Sequence, residues 1–562
     1  MALKKLIECV PNFSEGRDMS IIKQITDEIE KIDGVKLLDV DPGKATNRTV
    51  VTFVGEPQPV IDAAFMAIKK ASEIIDMSKH EGEHPRMGAT DVCPLIPIAN
   101  ITMEETAEYA VALAKKAGSL LDIPFYLYEA AATKPERKNL ATVRSGEYEG
   151  LPQKLADPKW KPDYGPAKFN PRAGATVIGA RDFLIAYNIN LNTTSVRRAN
   201  SIAFDIRENG RIKRVGGKVT GKIIKDKKGN PLRTKGKCKS VKAIGWFIEE
   251  YGIAQISMNL TNIKQTSLHK AFEETSKSAD KRGIRVTGSE IVGLVPLGVM
   301  LDAGNYFLKK QKRSTGVSEK EIIHIAVKSL GLDELSPFDP EKKIIEYVLR
   351  SEDIRPLVTQ TLSQFADETA SESPAPGGGS IAAYVGALGI SLGTMVANLS
   401  SHKRGWDDQW ENFSTVADNG QKLKEELLFL VDEDTAAFNQ IISAFRLPKN
   451  TSAEKETRKK AIQDATKNAI EIPFKVMTAS NNCFPILKNM AKNGNPNSVS
   501  DAGVGALCAK TAVHGAYLNV LINCKDLDDV KYVSKILSKA KAVLNKAIAS
   551  EKEIIKIVES KI

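Results

Sequence analysis

The spacing of hydrophobic positions in this 562-residue chain changes part-way along it. Through the first 330 residues, short apolar and β-branched runs bounded by turn residues recur: KLIECV (5–10), VKLLDVD (35–41), RTVVTFVG (48–55), IPFYLYEA (123–130), FLIAYNINL (183–191) and IAQISMNL (253–260). Each has the length and composition of a strand. Between them, 18–32 and 59–75 repeat their apolar residues at helical spacing. The alternation predicts a mixed α/β (α+β) region. Its turn-rich stretch NPRAGATVIGARDF (170–183) leads into a new strand, so a subdomain boundary is expected near 180.

From 354 onward strand signals nearly vanish. Residues 425–445, 453–480 and 530–560 carry long amphipathic helical patterns, which predict an all-α bundle. A charged helical stretch, interrupted by LSPFDP (335–340), joins the halves. The predicted organisation is 1–180 and 181–316 as two α/β subdomains, 317–352 as a helical linker and 353–562 as the helical domain. The halves are expected to separate near 330–350, each with its own core.

Length and composition agree with a multidomain globular enzyme, at 42% hydrophobic and 27% charged. The formal net charge of +11 fits an anionic partner or simply a Lys-rich solvated surface. The most basic stretch, 225–242, reads as an exposed hairpin or loop. It has no aromatic residue to stack on bases, so nucleic acid is not an expected partner. Six cysteines are scattered without a C-x-x-C pair, and the first residues carry no signal-peptide pattern. A cytoplasmic protein is expected. The uncharged segment 381–399 has the length of a membrane span, but Gly386, Gly389 and Gly393 share one helix face. A buried bundle helix that lets neighbours approach closely is predicted instead.

Candidate chemistry begins at HEGEHPRMG (80–88), whose first five residues match the zinc-protease pattern H-E-x-x-H. Gly82 interrupts any helix, Pro85 pushes His84 out of the helical region, and no third ligand is evident. His84 is then either packed at a turn or held on a rigid loop as a general acid/base. Asp41, at a strand end before Pro-Gly, and Asp91 are nearby carboxylate candidates. In the helical domain, Asp432 and Asp434 fall within a stretch expected to be mostly buried. Burial would raise a carboxyl pKa and make it an acid at neutral pH. APGGGS (375–380) is glycine-rich but lacks the lysine of a phosphate loop, and Asp501 opens a small-residue helix.

Taken together, IECVPNFSEG, LLDVDPGKATNRTVVTFVG, HEGEHPRMGATDVCP, GEYEGLP, FLIAYNINL, AIGW and VGLVPL resemble formiminotransferases. APGGGS, LVDEDTAAF, RLPKNT, DAGVGA and GAYLNVLIN resemble formiminotetrahydrofolate cyclodeaminases. Both sets occur in order, so the chain is similar nearly end to end to the bifunctional formiminotransferase-cyclodeaminase family. The resemblance implies formimino transfer from N-formimino-L-glutamate to tetrahydrofolate, then cyclisation to 5,10-methenyltetrahydrofolate with loss of ammonia. It implies His84 as the transferase acid/base with Asp41, and Asp432, then Asp434, as the cyclodeaminase acid. It maps the folate segment onto Gly165, Pro166, Ala167, Lys168, Phe169, Asn170, Pro171, Arg172, Ala173 and Gly174, with Arg86 also binding substrate. Arg172-Ala173 departs from the bulkier pair expected there. Tetrahydrofolate, polyglutamylated, would be a substrate; no metal, nucleic acid or membrane is implied, and a homo-oligomer is expected. The alternatives are a methenyltetrahydrofolate cyclohydrolase in the helical domain, or a non-catalytic folate-binding protein.

Overall fold

The computed structural model of the chain describes residues 5–44, 47–82, 85–218, 220–350 and 356–562. They form two compact units: Met1–Pro296 with Gly331–Val348, and Leu297–Leu330 with Leu349–Ile562.

The first unit contains two main sheets. Strands β1 (Leu6–Cys9), β2 (Asn12–Phe13), β3 (Val35–Gly43), β4 (Arg48–Gly55), β5 (Thr90–Ala99), β6 (Phe125–Glu129) and β7 (Thr176–Ala180) make the first. β1 and β2 follow one another in a single row between β4 and β5. β3 pairs outside β4, and β7 and β6 follow β5. The pairs from β3 to β5 are antiparallel, whereas β5–β7 and β7–β6 are parallel. Side chains alternate between faces. Phe13, Phe53, Cys93, Leu95, Leu127 and Ile178 share a core with apolar residues of the helices Met19–Glu30, Pro57–Ile74 and Met103–Leu120. Val92, Tyr126, Tyr128 and Val177 face the other way, against Val143, Leu151 and Leu155. The first helix buries Ile22, Ile25 and Ile29 and is capped by the Asp18 carboxylate, which accepts from the Ser20 amide at 2.8 Å.

The second sheet comprises β8 (Ile185–Leu191), β11 (Val241–Ile248), β12 (Ile253–Leu260) and β13 (Val286–Val292) in antiparallel order β11-β12-β8-β13. The small pair β9 (Arg211–Ile212) and β10 (Arg233–Thr234) closes the base of an exposed arm holding much of the basic stretch. Residues 331–348 return to this sheet. The Ser289 amide donates to the Gly331 carbonyl at 2.9 Å, the Asn190 amide group donates to Glu334, and Val295 bonds Lys343 and Ile345 through the backbone.

All six strands expected from sequence form. β11, β13, β7, which lies inside the stretch 170–183 read as turn-rich, and β5, the strand joining the antiparallel and parallel parts, were not among them; in β5, Pro94 and Pro97 are residues that demote a run to an edge or a loop. Pro94 still contributes its carbonyl, which accepts from the Val10 amide at 3.1 Å.

The second unit is helical. Gly378–Ser401 packs against Trp410–Phe445 and Val499–Asn523, with Ser452–Asn481, Phe484–Asn493 and Val530–Glu559 completing the bundle. The helix 378–401 is long and apolar enough to cross a membrane, yet 61% of its most apolar window is buried inside the protein. Its glycines explain this, as expected from sequence. A side chain on Gly386 would crowd the Ser480 hydroxyl, one on Gly389 the Gly505 carbonyl, and one on Gly393 Leu487. The three lie against three different helices.

The stretch 317–352, read from sequence as one linker, is divided between the units. Its first part, Glu319–Leu330, pairs with Leu297–Lys310 as a helical hairpin in the second unit. The hairpin tip docks on the bundle: the Thr315 amide donates to Ser414 Oγ at 2.9 Å, its hydroxyl to Asp418 at 2.8 Å, and Asn398 donates to the Gly316 carbonyl at 2.8 Å.

Candidate active sites

One end of the first sheet gathers the sequence-predicted transferase residues. Its register places Asp41 opposite Val50, Val50 opposite Asn12, Asn12 opposite Val92, and Val92 opposite Val177. Residues directly opposite one another share a face, so Asp41 and Asn12 lie on the face that carries Tyr126 and Tyr128. Asp41 is exposed on the edge strand. Two residues before Val50, Arg48 donates to Asn12 Oδ1 at 2.9 Å and pairs with the fully buried Asp91. Asp91 also pairs with Arg144 and accepts from the Met87 amide at 3.0 Å. It thereby fixes the backbone three residues after His84. His84 itself lies outside the described residues.

The helix Pro57–Ile74 ends at Ile75, a short 3₁₀ turn spans Met77–Lys79, and His80 is extended. His80, the first histidine of H-E-x-x-H, therefore lies outside any helix. His80 Nε2 lies 2.8 Å from the Asn47 carbonyl, while Arg86 Nε donates to His80 Nδ1 at 3.2 Å. Nδ1 acts as acceptor, so the proton belongs on Nε2, and both ring nitrogens are engaged without a metal. Among the described residues, no group of three His, Cys, Asp or Glu is arranged to hold a metal ion. Asn47 ties the corner together, accepting from the Gly16 amide at 3.0 Å and donating to the Glu81 carbonyl at 2.9 Å.

The segment 165–174 closes against this corner. The Ala89 amide donates to the Ala173 carbonyl at 2.8 Å, the Met77 amide to the Arg172 carbonyl at 2.9 Å, and the Tyr148 hydroxyl to the Pro171 carbonyl at 2.5 Å. Asn170 Oδ1 accepts from the amides of Arg172 and Ala173 at 3.1 and 3.0 Å, which makes the turn. Gly174 has φ +67°, and a side chain there would overlap the Met87 carbonyl, so the close approach needs glycine. Phe169 lies against Tyr148, ring centroids 5.5 Å apart. Arg172 turns to the Glu73 carbonyl at 2.7 Å, and Ala173 is buried. Arg86 presents its fork to Glu149, at 2.8 and 3.1 Å.

In the second unit the two candidate acids part company. Asp432 accepts from the Leu357 amide at 2.9 Å, and its other oxygen is buried without a partner among the described residues. Asp434 faces the start of the helix 378–401, where Ser380 Oγ donates to it at 3.2 Å. Burial pushes the Asp434 carboxyl above its ordinary range, against opposing hydrogen bonds from Ser380. Thr435 lies 3.2 Å from the same Ser380 hydroxyl, and Asn519 borders Gly378. APGGGS is thus a helix start stripped of side chains beside a protonatable carboxyl. Asp501 lies in the first turn of Val499–Asn523.

Sequence reasoning did not single out Asn12, Asn47, Arg48, Arg144, Tyr148 or Ser380. All but Arg144 sit inside the motifs that carry the family resemblance, and nothing local marks Arg144; only the fold brings it to Asp91.

Three family descriptions match the chain: the N-terminal subdomain of the formiminotransferase domain over residues 6–181, the formiminotransferase domain over 186–350, and formiminotransferase-cyclodeaminase over 361–542. The chain is 43% identical over 547 residues to formimidoyltransferase-cyclodeaminase of Gallus gallus, covering 96% of this chain and 97% of that one. It is 43% identical over 307 residues to glutamate formimidoyltransferase of Streptococcus pyogenes serotype M1, covering 55% and 94%. It is 34% identical over 203 residues to methenyltetrahydrofolate cyclohydrolase of Methylorubrum extorquens, covering 36% and 98%. With both kinds of domain matched in order and a bifunctional relative covered almost completely, the chain belongs to the formimidoyltransferase-cyclodeaminase family.

Proposed function

We propose that the chain transfers the formimino group of N-formimino-L-glutamate to tetrahydrofolate and then cyclises the product to 5,10-methenyltetrahydrofolate, releasing ammonia. The observation that carries this is the 97% coverage of a bifunctional relative by a chain that keeps both sets of motif residues. In the first step, N5 of tetrahydrofolate attacks the amidine carbon. His84 takes the N5 proton and returns it to the glutamate nitrogen as the carbon–nitrogen bond breaks. Asp41 assists from the same end of the sheet, and 165–174 with Arg86 binds folate. In the second step, N10 attacks the same carbon and ammonia leaves protonated. Asp434 is the better-supported acid, since its carboxyl is the one held above its ordinary range. Asp432 is occupied by the Leu357 amide.

Incubation with formiminoglutamate and tetrahydrofolate, following methenyl absorbance and ammonia together, tests the reading. Absence of both signals would sink it. The cyclohydrolase relative favours a second reading of the helical domain. Methenyl consumption without ammonia release from 5-formiminotetrahydrofolate would support that one.

The folate is read as polyglutamylated, and the protein as cytoplasmic. Cys9 and Cys93 lie 3.5 Å apart as free thiols, the state a reducing compartment keeps. A homo-oligomer is supported by exposed apolar side chains on two bundle helices: Leu388, Met395 and Leu399, with Val504, Leu507, Leu518 and Ile522. Light scattering that gives a monomer mass would remove that reading.

A further inference from the structure

Asp91 is fully buried and carries two guanidinium groups, Arg48 and Arg144, whose side chains are only 11% and 14% exposed. One cation is enough to neutralise one carboxylate. Arg48 does so while also holding Asn12, and so belongs to the framework of the sheet. Arg144 is a second cation on the same carboxylate, and Asp91 is its only acidic partner among the described residues. Among the described residues the cluster therefore holds two cations and one carboxylate, and a nearly buried excess charge is costly unless it gains a partner.

The geometry states which chemistry fits. Arg144 turns its Nε and Nη2 edge to Asp91, with Nε donating to Oδ1 at 3.2 Å. The guanidinium is planar with five donors, so the Nη1 side stays available for a second planar anion. Arg144 caps the short helix Leu140–Val143, which packs by Val143 beside Met87 and Val92. Asp91, its anchor, also holds the Met87 amide in the candidate catalytic loop.

We propose that Arg144 binds a carboxylate of the formimino-bearing glutamate, with Asp91 as the positioning residue that aims its guanidinium. This rests on the transferase reading above. Both substrates carry glutamyl carboxylates, but those of tetrahydrofolate lie at the far end of the molecule from its reacting ring nitrogen, whereas those of formiminoglutamate lie within a few bonds of the reacting carbon, where a cation of fixed geometry beside the candidate catalytic loop would meet them.

The test is steady-state kinetics of the full chain with Arg144→Gln and Arg144→Lys. The expected result is a KM for formiminoglutamate raised roughly 10–100-fold in both, the usual worth of a charge-assisted pair. The KM for tetrahydrofolate and the cyclodeaminase rate should stay within twofold. Product inhibition gives a second reading: the wild-type chain should bind L-glutamate more tightly than at least one of its two monoamides, and the variants should lose that preference. If Arg144→Gln does not fold, Arg144→Lys, which keeps a charge on Asp91, decides alone. An unchanged KM for formiminoglutamate, an equal rise for both substrates, or a retained dicarboxylate preference overturns the proposal and leaves Arg144 a structural partner of Asp91. A wild-type chain that transfers nothing is a different result; it removes the transferase reading, and the proposal with it.

Discussion

Gly379 and Asp434 are placed so that any side chain on the first would occupy the carboxylate of the second. The glycine run at the start of the helix 378–401 therefore has a definite role: it lets an acid on the neighbouring helix 410–445 sit against backbone. Gly379→Ala should push the Asp434 carboxyl out of place and lower cyclodeaminase turnover at least about tenfold, part of the roughly 10²–10⁴-fold that a general acid is worth. Transferase turnover should be unchanged. Normal cyclisation in this variant would show that the contact is incidental.

Asp434 and Asp432 can be told apart directly. Asp434→Asn should lower cyclisation by roughly 10²–10⁴-fold and let 5-formiminotetrahydrofolate accumulate. Asp432→Asn keeps an oxygen for the Leu357 amide and should act mainly on stability. The opposite pattern would return the acid to Asp432, the first choice from sequence.

Glu8 gives the first unit a pH dependence of known sign. Burial pushes its carboxyl from 4.5 up to about 7, with Arg181 opposing. A raised carboxyl binds its proton more tightly when folded, so its stabilisation is complete below the unfolded value and is lost as pH climbs through about 7. The loss across that window is about 3 kcal/mol. Melting temperatures of Glu8→Gln and wild type from pH 5 to 8 should converge at the acid end and separate at the alkaline end, with the variant higher. Parallel curves would mean that Glu8 titrates normally.

The exposed basic stretch 225–242, which runs from the arm into β11, can be tested on the folate tail. Lys225, Lys227, Lys228, Arg233, Lys235, Lys237, Lys239 and Lys242 are all exposed, while Asp226 is spent on its own turn, accepting from the Lys228 and Asn230 amides. Four Lys→Gln changes should remove most of the advantage of a pentaglutamyl over a monoglutamyl substrate at low salt, and the effect should fade as salt screens it. Equal loss on both substrates would assign the stretch to solubility.

The position of the hairpin alters where the chain can be cut. A fragment ending at 330 lacks Gly331, Glu334 and the Lys343–Ile345 backbone, which bond the second sheet. It should melt several degrees below one ending at 348. Equal melting would mean that these contacts add nothing to the sheet.

Local pattern was enough for the element types and for the division into an α/β part and a helical part. Strand alternation, helical periodicity and the Asp18 cap are written within a few residues of where they act. His84, Asp432 and Asp434 stood out as candidates by their local setting, whereas the segment 165–174 was legible only through the family resemblance. What sequence could not decide was who meets whom. β5 was hidden by its two prolines because its place in the sheet depends on neighbours far along the chain. Arg144 lies 53 residues from Asp91 and joins it only once 140–156 covers the second face of the sheet. Asp432 and Asp434 lie two residues apart on one helix and so point about 200° apart round its axis, but only packing gives one to the Leu357 amide and the other to Gly379 and Ser380. A helix fixes the direction of each side chain, but only the neighbouring elements determine the burial and the hydrogen-bond partners that set its chemistry.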